Sequence, residues 1–465
     1  MLPTRPSPLA TTLAATLLTG GLALAAAPAH AEPAACQGRV VTTGGDQGTD
    51  GDDVMVVGPG QRSVSTGAGD DLVCIRLGDD LRSSFFLGAG PGNDVVHNET
   101  TASDRSVSVS LDTGDDTFVG SDASRESVST GADTWGGIRD VEKDVVDTRG
   151  GNDSVATGSV APGTPNPDVI RTGTGDDAVI WAGEQVGAPL DLGTGDNQLR
   201  LLSGWAGSDV DIDAPAGRVT ADSRPVLRWS GDVASYSLQY THLRTTFTGT
   251  DLDEYVTFWP AQADQQGPAS TVADPQLRLD ADMGGGDDRL EMLDAAGGSW
   301  VGGPGKDRLG MPRCQVADVR LGIDYSCNDE TQARTPYAGA IDAWETVSAS
   351  GGRIQVVGTN GRDTIRVRGR RAVVDGRGGR DVLTSSGSRT GKKASIPVVI
   401  RGGAGADRIR GGFSDERLIG GGGADVMRGG PGDDQLVGGA GRDRADGQGG
   451  RDRCSAEVRR NCESR

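Results

Sequence analysis

Toward the C-terminus, apolar positions recur every nine residues: Ile409, Leu418, Met427, Leu436, Ala445 and Cys454. A glycine-rich run and then an acidic residue precede most of them, as in GGPGDDQLV (429–437) and GGAGRDRAD (438–446). A helix does not fit, because each Gly there costs about 1 kcal/mol relative to Ala, and convincing helical periodicity is absent throughout. Six residues with several glycines suit a turn instead, since Gly accepts positive φ at no steric cost. The remaining three suit a short strand. Strand side chains alternate, so the eighth position points inward and the seventh and ninth point out. Two nonapeptides then make one flat coil of turn, strand, turn, strand, and successive coils stack about 4.8 Å apart as parallel sheets. A coil cannot bury its thin apolar row alone, so stability comes from stacked neighbours and the two ends need caps.

The nonapeptides run without a gap from 402 to 454, with Asp407, Asp425, Asp434, Asp443 and Asp452 at the sixth position. The second copy is degenerate, with Ser414 for Gly and Glu416 for Asp. Two isolated copies precede them, MGGGDDRLE (283–291) with Asp288 and GGPGKDRLG (302–310) with Asp307. The shorter core G-x-D-x-apolar places Asp53, Asp71, Asp94, Asp116, Asp153, Asp177 and Asn197 upstream, and Asp363 and Asp381 after a break. The upstream spacings of 18, 23, 22, 37, 24 and 20 read as one motif per coil, with the opposite side of each coil diverged or enlarged. Between 200 and 282 the signal fades and most of the aromatic residues appear, which favours degenerate coils over an inserted β unit. The expected division is a leader at 1–31, a diverged solenoid at 32–199, an aromatic-rich β segment at 200–282, isolated motifs with a Cys314–Cys327 loop at 283–350, and a regular block with a cysteine cap at 351–465.

The pattern GGxGxDxUx, with U apolar, is that of the repeats-in-toxin (RTX) family, and residues 402–465 resemble it closely. The resemblance implies an all-β fold, a right-handed parallel β-roll or β-solenoid with diverged longer coils upstream. It also implies Ca²⁺ held between turns of alternate nonapeptides, with the sixth-position Asp as side-chain ligand. Stacking brings Asp425 near Asp443 and Asp434 near Asp452. Bare carboxylates there would repel, and a hard cation taking 6–8 oxygen ligands removes the repulsion. The rival is an empty solenoid whose aspartates cap turns and pair with adjacent arginines, as Asp407-Arg408 and Asp443-Arg444 would allow. Isolated motifs such as Asp153 and Asp177, lacking a partner one coil away, would each be half a site.

Composition supports a fold of this kind. With 75 Gly, 4% aromatic residues, 35% hydrophobic residues and a net charge of −20, the chain leans toward disorder unless repeats or cations rescue it. Charge is uneven: residues 351–465 carry 23 Lys+Arg against 14 Asp+Glu, a net of +9, and the remainder is −29. The acidic part argues for cations and against nucleic acid as partners. The basic surplus reads as arginines pairing with aspartates along the repeats, with a polyanion-binding surface as the alternative.

Arg5, the apolar run Leu9 to Ala27 and the small-residue site Ala29-His30-Ala31 read as a secretory leader, and no later stretch approaches the length of a membrane span. Six cysteines follow it, which favours disulfides. Their connectivity is open; short loops favour Cys314–Cys327 and Cys454–Cys462, leaving Cys36–Cys74. A zinc site is a weak rival, with no CxxC and only His97 and His242 after the leader. HExxH and GxSxG are absent. Paired acids such as Asp52-Asp53 and Asp176-Asp177 recur in turns, whereas an active site is singular. The expectation is a secreted, extracellular, non-catalytic calcium-binding protein, with extracellular polysaccharide or a cell surface as a candidate partner. The alternatives are a calcium-dependent polysaccharide-active enzyme of β-helix lyase or hydrolase type, with aromatics at 200–260 stacking on sugar, and an adhesin acting through 200–282.

Overall fold

The computed structural model of the protein describes residues 35–78, 84–131, 141–202, 204–240, 244–260, 278–293, 296–328, 337–386 and 398–463. The expected leader lies outside them. The regular elements among the described residues are all strands, and no helix there is long and apolar enough to cross a membrane.

The nonapeptide pattern becomes a stack of parallel strands. One inward residue per coil forms a continuous spine, paired in register from Val64 through Leu87, Val109, Val128, Val155, Val179 and Leu199 to Tyr236. It continues through Val256, Leu290, Leu309, Val347, Ile365, Leu383, Ile409 and Met427 to Ala445. Every member of this row is buried. On the other side of the N-terminal coils a second row runs Met55, Val73, Val96, Phe118, Val146, Ile170. The two rows belong to one contiguous core. The expected inward row Ile409, Leu418, Met427, Leu436 and Ala445 is buried, and Cys454 is half-buried at its end.

The parallel pairing passes through 200–282 but is interrupted by an antiparallel excursion. Asp209–Asp213 pairs antiparallel with Arg218–Ala221, which pairs antiparallel with Arg224–Ser230. Val233–Tyr240, Tyr255–Pro260 and Arg289–Met292 then resume the parallel ladder. The aromatics of this segment fill the core. Trp229, Tyr236, Phe247 and Phe258 are buried and meet edge to face in sequence, with ring centroids 6.3, 5.2 and 6.4 Å apart. The expected sugar-stacking role is therefore overturned for these rings: alternation turns them inward, where bulky side chains fill the coils.

Three disulfides are present, Cys36–Cys74, Cys314–Cys327 and Cys454–Cys462, and no free cysteine occurs among the described residues. The first ties the hairpin of Ala35–Cys36 and Arg39–Val40 to the first coils. The second staples Arg308–Arg320 to the antiparallel Asp324–Asn328. The third closes the last coil.

Candidate metal centre

Position six precedes the strand and alternates with outward position seven, so its side chain points inward beside the apolar row. All fifteen aspartates predicted as ligands are buried: Asp53, Asp71, Asp94, Asp116, Asp153, Asp177, Asp288, Asp307, Asp363, Asp381, Asp407, Asp425, Asp434, Asp443 and Asp452. They are joined in ladders. The backbone N–H of most donates to Oδ1 of the equivalent residue one coil later, as from Asp425 to Asp443 and from Asp434 to Asp452, both at 2.9 Å, while Asp307 and Asp443 donate to Oε2 of Glu345 and Glu457. The carbonyl of the same residue accepts from position seven of the next coil, as Asp425 does from Arg444 at 2.8 Å. The juxtapositions expected for Asp425 and Asp434 are thus present as direct hydrogen bonds.

The upstream motifs also have partners. One ladder runs Asp53, Asp71, Asp94, Asp116, Asp144, Asp168. Another runs Glu126, Asp153, Asp177, Asn197. The 37-residue gap between Asp116 and Asp153 is therefore a change of side: Asp116 is followed by Asp144 and Asp153 is preceded by Glu126. The expectation that Asp153 and Asp177 are half-sites is overturned, because partners with weaker motifs complete the row. Further ladders run Glu254, Asp288, Asp307, Glu345; Asp363, Asp381, Asp407, Asp425, Asp443, Glu457; and Glu416, Asp434, Asp452.

Sequence reading missed Glu126, Asp144, Asp168, Glu254, Glu345 and Glu457 and set Glu416 aside as degenerate. All but Glu457, which Arg459 follows, have an apolar residue two positions later, as in Glu126-Ser127-Val128 and Asp144-Val145-Val146. That pair is the signal that could have found them; nothing in the pattern marks Glu457.

The paired acids of the motif separate onto two ladders. Position five stays at the surface and forms its own row: the N–H of Asp70 donates to Asp52, Asn93 to Asp70, Asp115 to Asn93 and Lys143 to Asp115. The row recurs at Asp415, Asp433 and Arg451. Each repeated pair thus places one carboxylate in each row.

The inner ladder leaves one oxygen over. Oδ2 of Asp71, Asp94, Asp116, Asp153, Asp177, Asp288, Asp307, Asp381, Asp407, Asp425, Asp434, Asp443 and Asp452 is buried without a hydrogen-bond partner. In the regular block it faces the first glycine of its own repeat and the carbonyl of the first glycine one coil on. A Cβ on Gly402, Gly420 or Gly429 would overlap both that oxygen and the carbonyl of Gly420, Gly438 or Gly447 respectively. Fourth-position glycines serve stacking instead. Gly423 and Gly441 have φ of 126° and 143°, and a Cβ there would enter the backbone of Gly405 and Gly423.

Asn197 occupies the same place as a neutral side chain. Its Oδ1 accepts from Asp177 N–H at 3.0 Å, and its Nδ2 donates to the carbonyls of Leu192 and Asp232, each at 3.0 Å. The cradle therefore presents two carbonyl oxygens toward the place where an aspartate puts Oδ2. With Asn, two N–H groups bridge the gap; with an ionised Asp, oxygen faces oxygen, and a proton or a cation between them relieves the repulsion. Asp53 and Asp363 solve this differently. Thr49 N–H binds Oδ2 of Asp53 and Thr359 N–H binds Oδ2 of Asp363, both at 2.7 Å, with threonine hydroxyls completing each carboxylate.

Electrostatics follow from this geometry. Burial, reinforced by carboxylates in adjacent coils and opposed by the ladder N–H, pushes Asp94 up to about 8, Asp288 to about 7 and Asp425 to about 6. Burial likewise lifts Asp381 to about 7. It also raises Asp153 and Asp434, each beside a buried glutamate. At Asp53 burial acts the same way, but the threonine bonds outweigh it and the net shift is downward. The expected pairing of these aspartates with adjacent arginines is overturned. Arg408, Arg444 and Arg453 are exposed on the outer face, and no ion pair reaches the fifteen aspartates among the described residues. Adjacent strand residues lie on opposite faces, so position seven cannot neutralise position six.

No group of three or more His, Cys, Asp or Glu side chains converges among the described residues. An ion here would draw on one or two carboxylates and on backbone carbonyls. That all-oxygen set suits Ca²⁺, which accepts irregular shells of carbonyl and carboxylate oxygens, better than Mg²⁺, which wants a tight octahedron, or zinc, which favours N and S ligands.

Four copies of the RTX calcium-binding nonapeptide repeat match the chain, over residues 47–81, 399–427 and 428–457. These spans contain Asp53, Asp71, Asp407, Asp425, Asp434, Asp443 and Asp452. No curated protein matches the chain.

Proposed function

We propose that this chain, which carries RTX calcium-binding nonapeptide repeats, is an exported, non-catalytic solenoid in which Ca²⁺ stabilises the fold. The observation that carries the reading is the row of orphaned Oδ2 atoms, set against glycine carbonyls in the regular block, beside the position where the Asn197 amide bridges two carbonyls. Asp71, Asp94, Asp116, Asp153, Asp177, Asp288, Asp307, Asp381, Asp407, Asp425, Asp434, Asp443 and Asp452 would hold the ions, with carbonyls of the flanking turns. Asp53 and Asp363 close their carboxylates with threonine and need none. Bound Ca²⁺ supplies positive charge between stacked carboxylates. The chain's own part is to hold those oxygens buried and in register through the ladder bonds.

A structural role fits the repetition. The acidic pairs recur coil after coil in the same two rows. Export fits three disulfides, which persist in oxidising compartments, and the leader-like first 31 residues.

Metal content of the purified protein before and after chelation, with far-UV circular dichroism during a Ca²⁺ titration, tests the reading. Several calcium ions per chain and a β signal that appears with calcium are expected, at affinities on the order of 10⁻⁴–10⁻³ M. A metal-free protein already fully folded in chelator at neutral pH would overturn it.

A further inference from the structure

The fold sorts charge by side. In residues 351–465 eight of the fourteen acidic side chains are buried: Asp363, Asp381, Asp407, Glu416, Asp425, Asp434, Asp443 and Asp452. Six are left at or near the surface, against 19 exposed arginines among the described residues. The surface of this region is thus far more basic than its net charge of +9 suggests.

Six of these arginines share one sheet face. Its outward seventh-position column reads Thr364, Val382, Arg408, Val426, Arg444, and the ninth-position column reads Arg366, Thr384, Arg410, Arg428, Asp446. Arg368 extends the first of these strands. Arg366, Arg368, Arg408, Arg410, Arg428 and Arg444 are exposed, and none is in an ion pair among the described residues. The one acid in the two columns, Asp446, accepts a hydrogen bond from Asn461 Nδ2 at 2.8 Å. The other sheet holds fewer: Arg401, Arg417 and Arg453 among Val399, Ile419, Gln435 and Val437, with Arg371 extending its first strand.

We propose that the arginine-bearing sheet face spanning residues 364–446 binds a linear anionic polysaccharide lying along the stack. Coils repeat at about 4.8 Å, so the six guanidinium groups extend over about 20 Å of the axis in a band two columns wide. A chain of sugar acids or sugar sulfates presents one anion per ring or per pair of rings, a periodic row that matches a periodic row of cations. Guanidinium suits both anions, because its planar fork binds carboxylate or sulfate bidentately. Val382, Val426 and Thr384, between the arginines, give a flat surface for ring C–H groups. Nucleic acid fits less well. Single strands bind on aromatic platforms, and these two columns contain no aromatic residue; duplex readers insert a helix or ribbon into a groove, and this face is flat. The inference does not depend on what neutralises the buried carboxylates.

The test uses the full chain at fixed free calcium, with oligogalacturonate, dextran sulfate, neutral dextran and double-stranded DNA as probes. Binding of at least one acidic polysaccharide and none of neutral dextran is expected, with the tighter acidic probe identifying the anion. The variant R410Q/R428Q/R444Q should lose about tenfold in affinity and lower the slope of log affinity against log salt by about two. The variant R401Q/R417Q/R453Q, with equal charge removed from the other sheet, should stay within about twofold of the parent. Both variants carry exposed substitutions, and unchanged circular dichroism verifies their fold. Equal losses in the two variants, no binding to either acidic probe, or tighter binding of DNA than of both would overturn the proposal.

Discussion

At position six, aspartate and asparagine make opposite demands on the same cradle. Asn197 bridges two carbonyls with its amide, while Asp425 turns a bare oxygen toward the equivalent place. Asp425→Asn should therefore keep the bond from Asp407, lower the calcium stoichiometry, and leave the calcium-free protein as stable or more so. Native mass spectrometry and melting in chelator read the two effects. The reverse exchange, Asn197→Asp, should add a site and make its coil calcium-dependent. Gly429→Ala needs no unusual φ, but its methyl would fill the cradle of Asp434, so calcium binding should fall there even with every carboxylate intact. The pH dependence has a definite sign. Burial raises Asp94, Asp288, Asp381 and Asp425 from the ordinary aspartate value of 3.8 to between about 6 and about 8. Their protonated forms favour the fold, so that contribution is fully present below about 3.8 and is lost as pH rises through about 6 to 8. In chelator the melting temperature should fall over this window. With saturating calcium the fall should be much smaller, because the ion replaces the proton.

For a single turn and strand, the controlling fact is that each is incomplete alone. A coil offers one buried apolar residue per strand and a carboxylate that accepts from the coil before it, so its energy lies in its neighbours. Leu436 is fully buried between Leu418 and Cys454. Leu436→Ala should cost about 3 kcal/mol and act locally. Hydrogen exchange should speed up in 416–455 while the coils around Val107 and Val155 keep their protection. The ladders show the same dependence at their ends. Asp53 is closed by threonines, Asn197 by its amide, and glutamates stand at other ends, where the next aspartate is missing. Cys454–Cys462 ties down the last strands, and replacing both cysteines with serine should fray residues 444–463 first, seen as early exchange there.

The molecule as a whole is ordered by a division of charge and of apolar mass. A chain with 35% hydrophobic residues cannot build a broad core, but it can stack a spine from Val64 to Ala445 one residue wide on each side. The cost of that economy is a row of buried carboxylates, and calcium is the proposed remedy. Chelation should therefore unfold calcium-dependent coils cooperatively while the three disulfides hold the chain together at the hairpin, the staple and the last coil. A calcium titration followed by both circular dichroism and small-angle scattering should show compaction and strand formation together. Compaction without new β signal would mean the coils form before the ion binds.

What the sequence determined by itself is what a nine-residue period can encode: a turn wherever glycines cluster, a strand after it, an inward apolar residue at position eight and outward residues at seven and nine. Those follow from φ preferences and side-chain alternation, which are local. Tertiary structure decided the rest. Which carboxylate follows which depends on where coils of unequal length come into register, so Asp116 answers to Asp144, and Asp153 to Glu126, across gaps no fixed period describes. It also decided that the position-six aspartates are buried beside the apolar row rather than paired with their arginines, and that Trp229, Tyr236, Phe247 and Phe258 are core. Both are consequences of which face each strand buries, and only the stacked neighbours fix that.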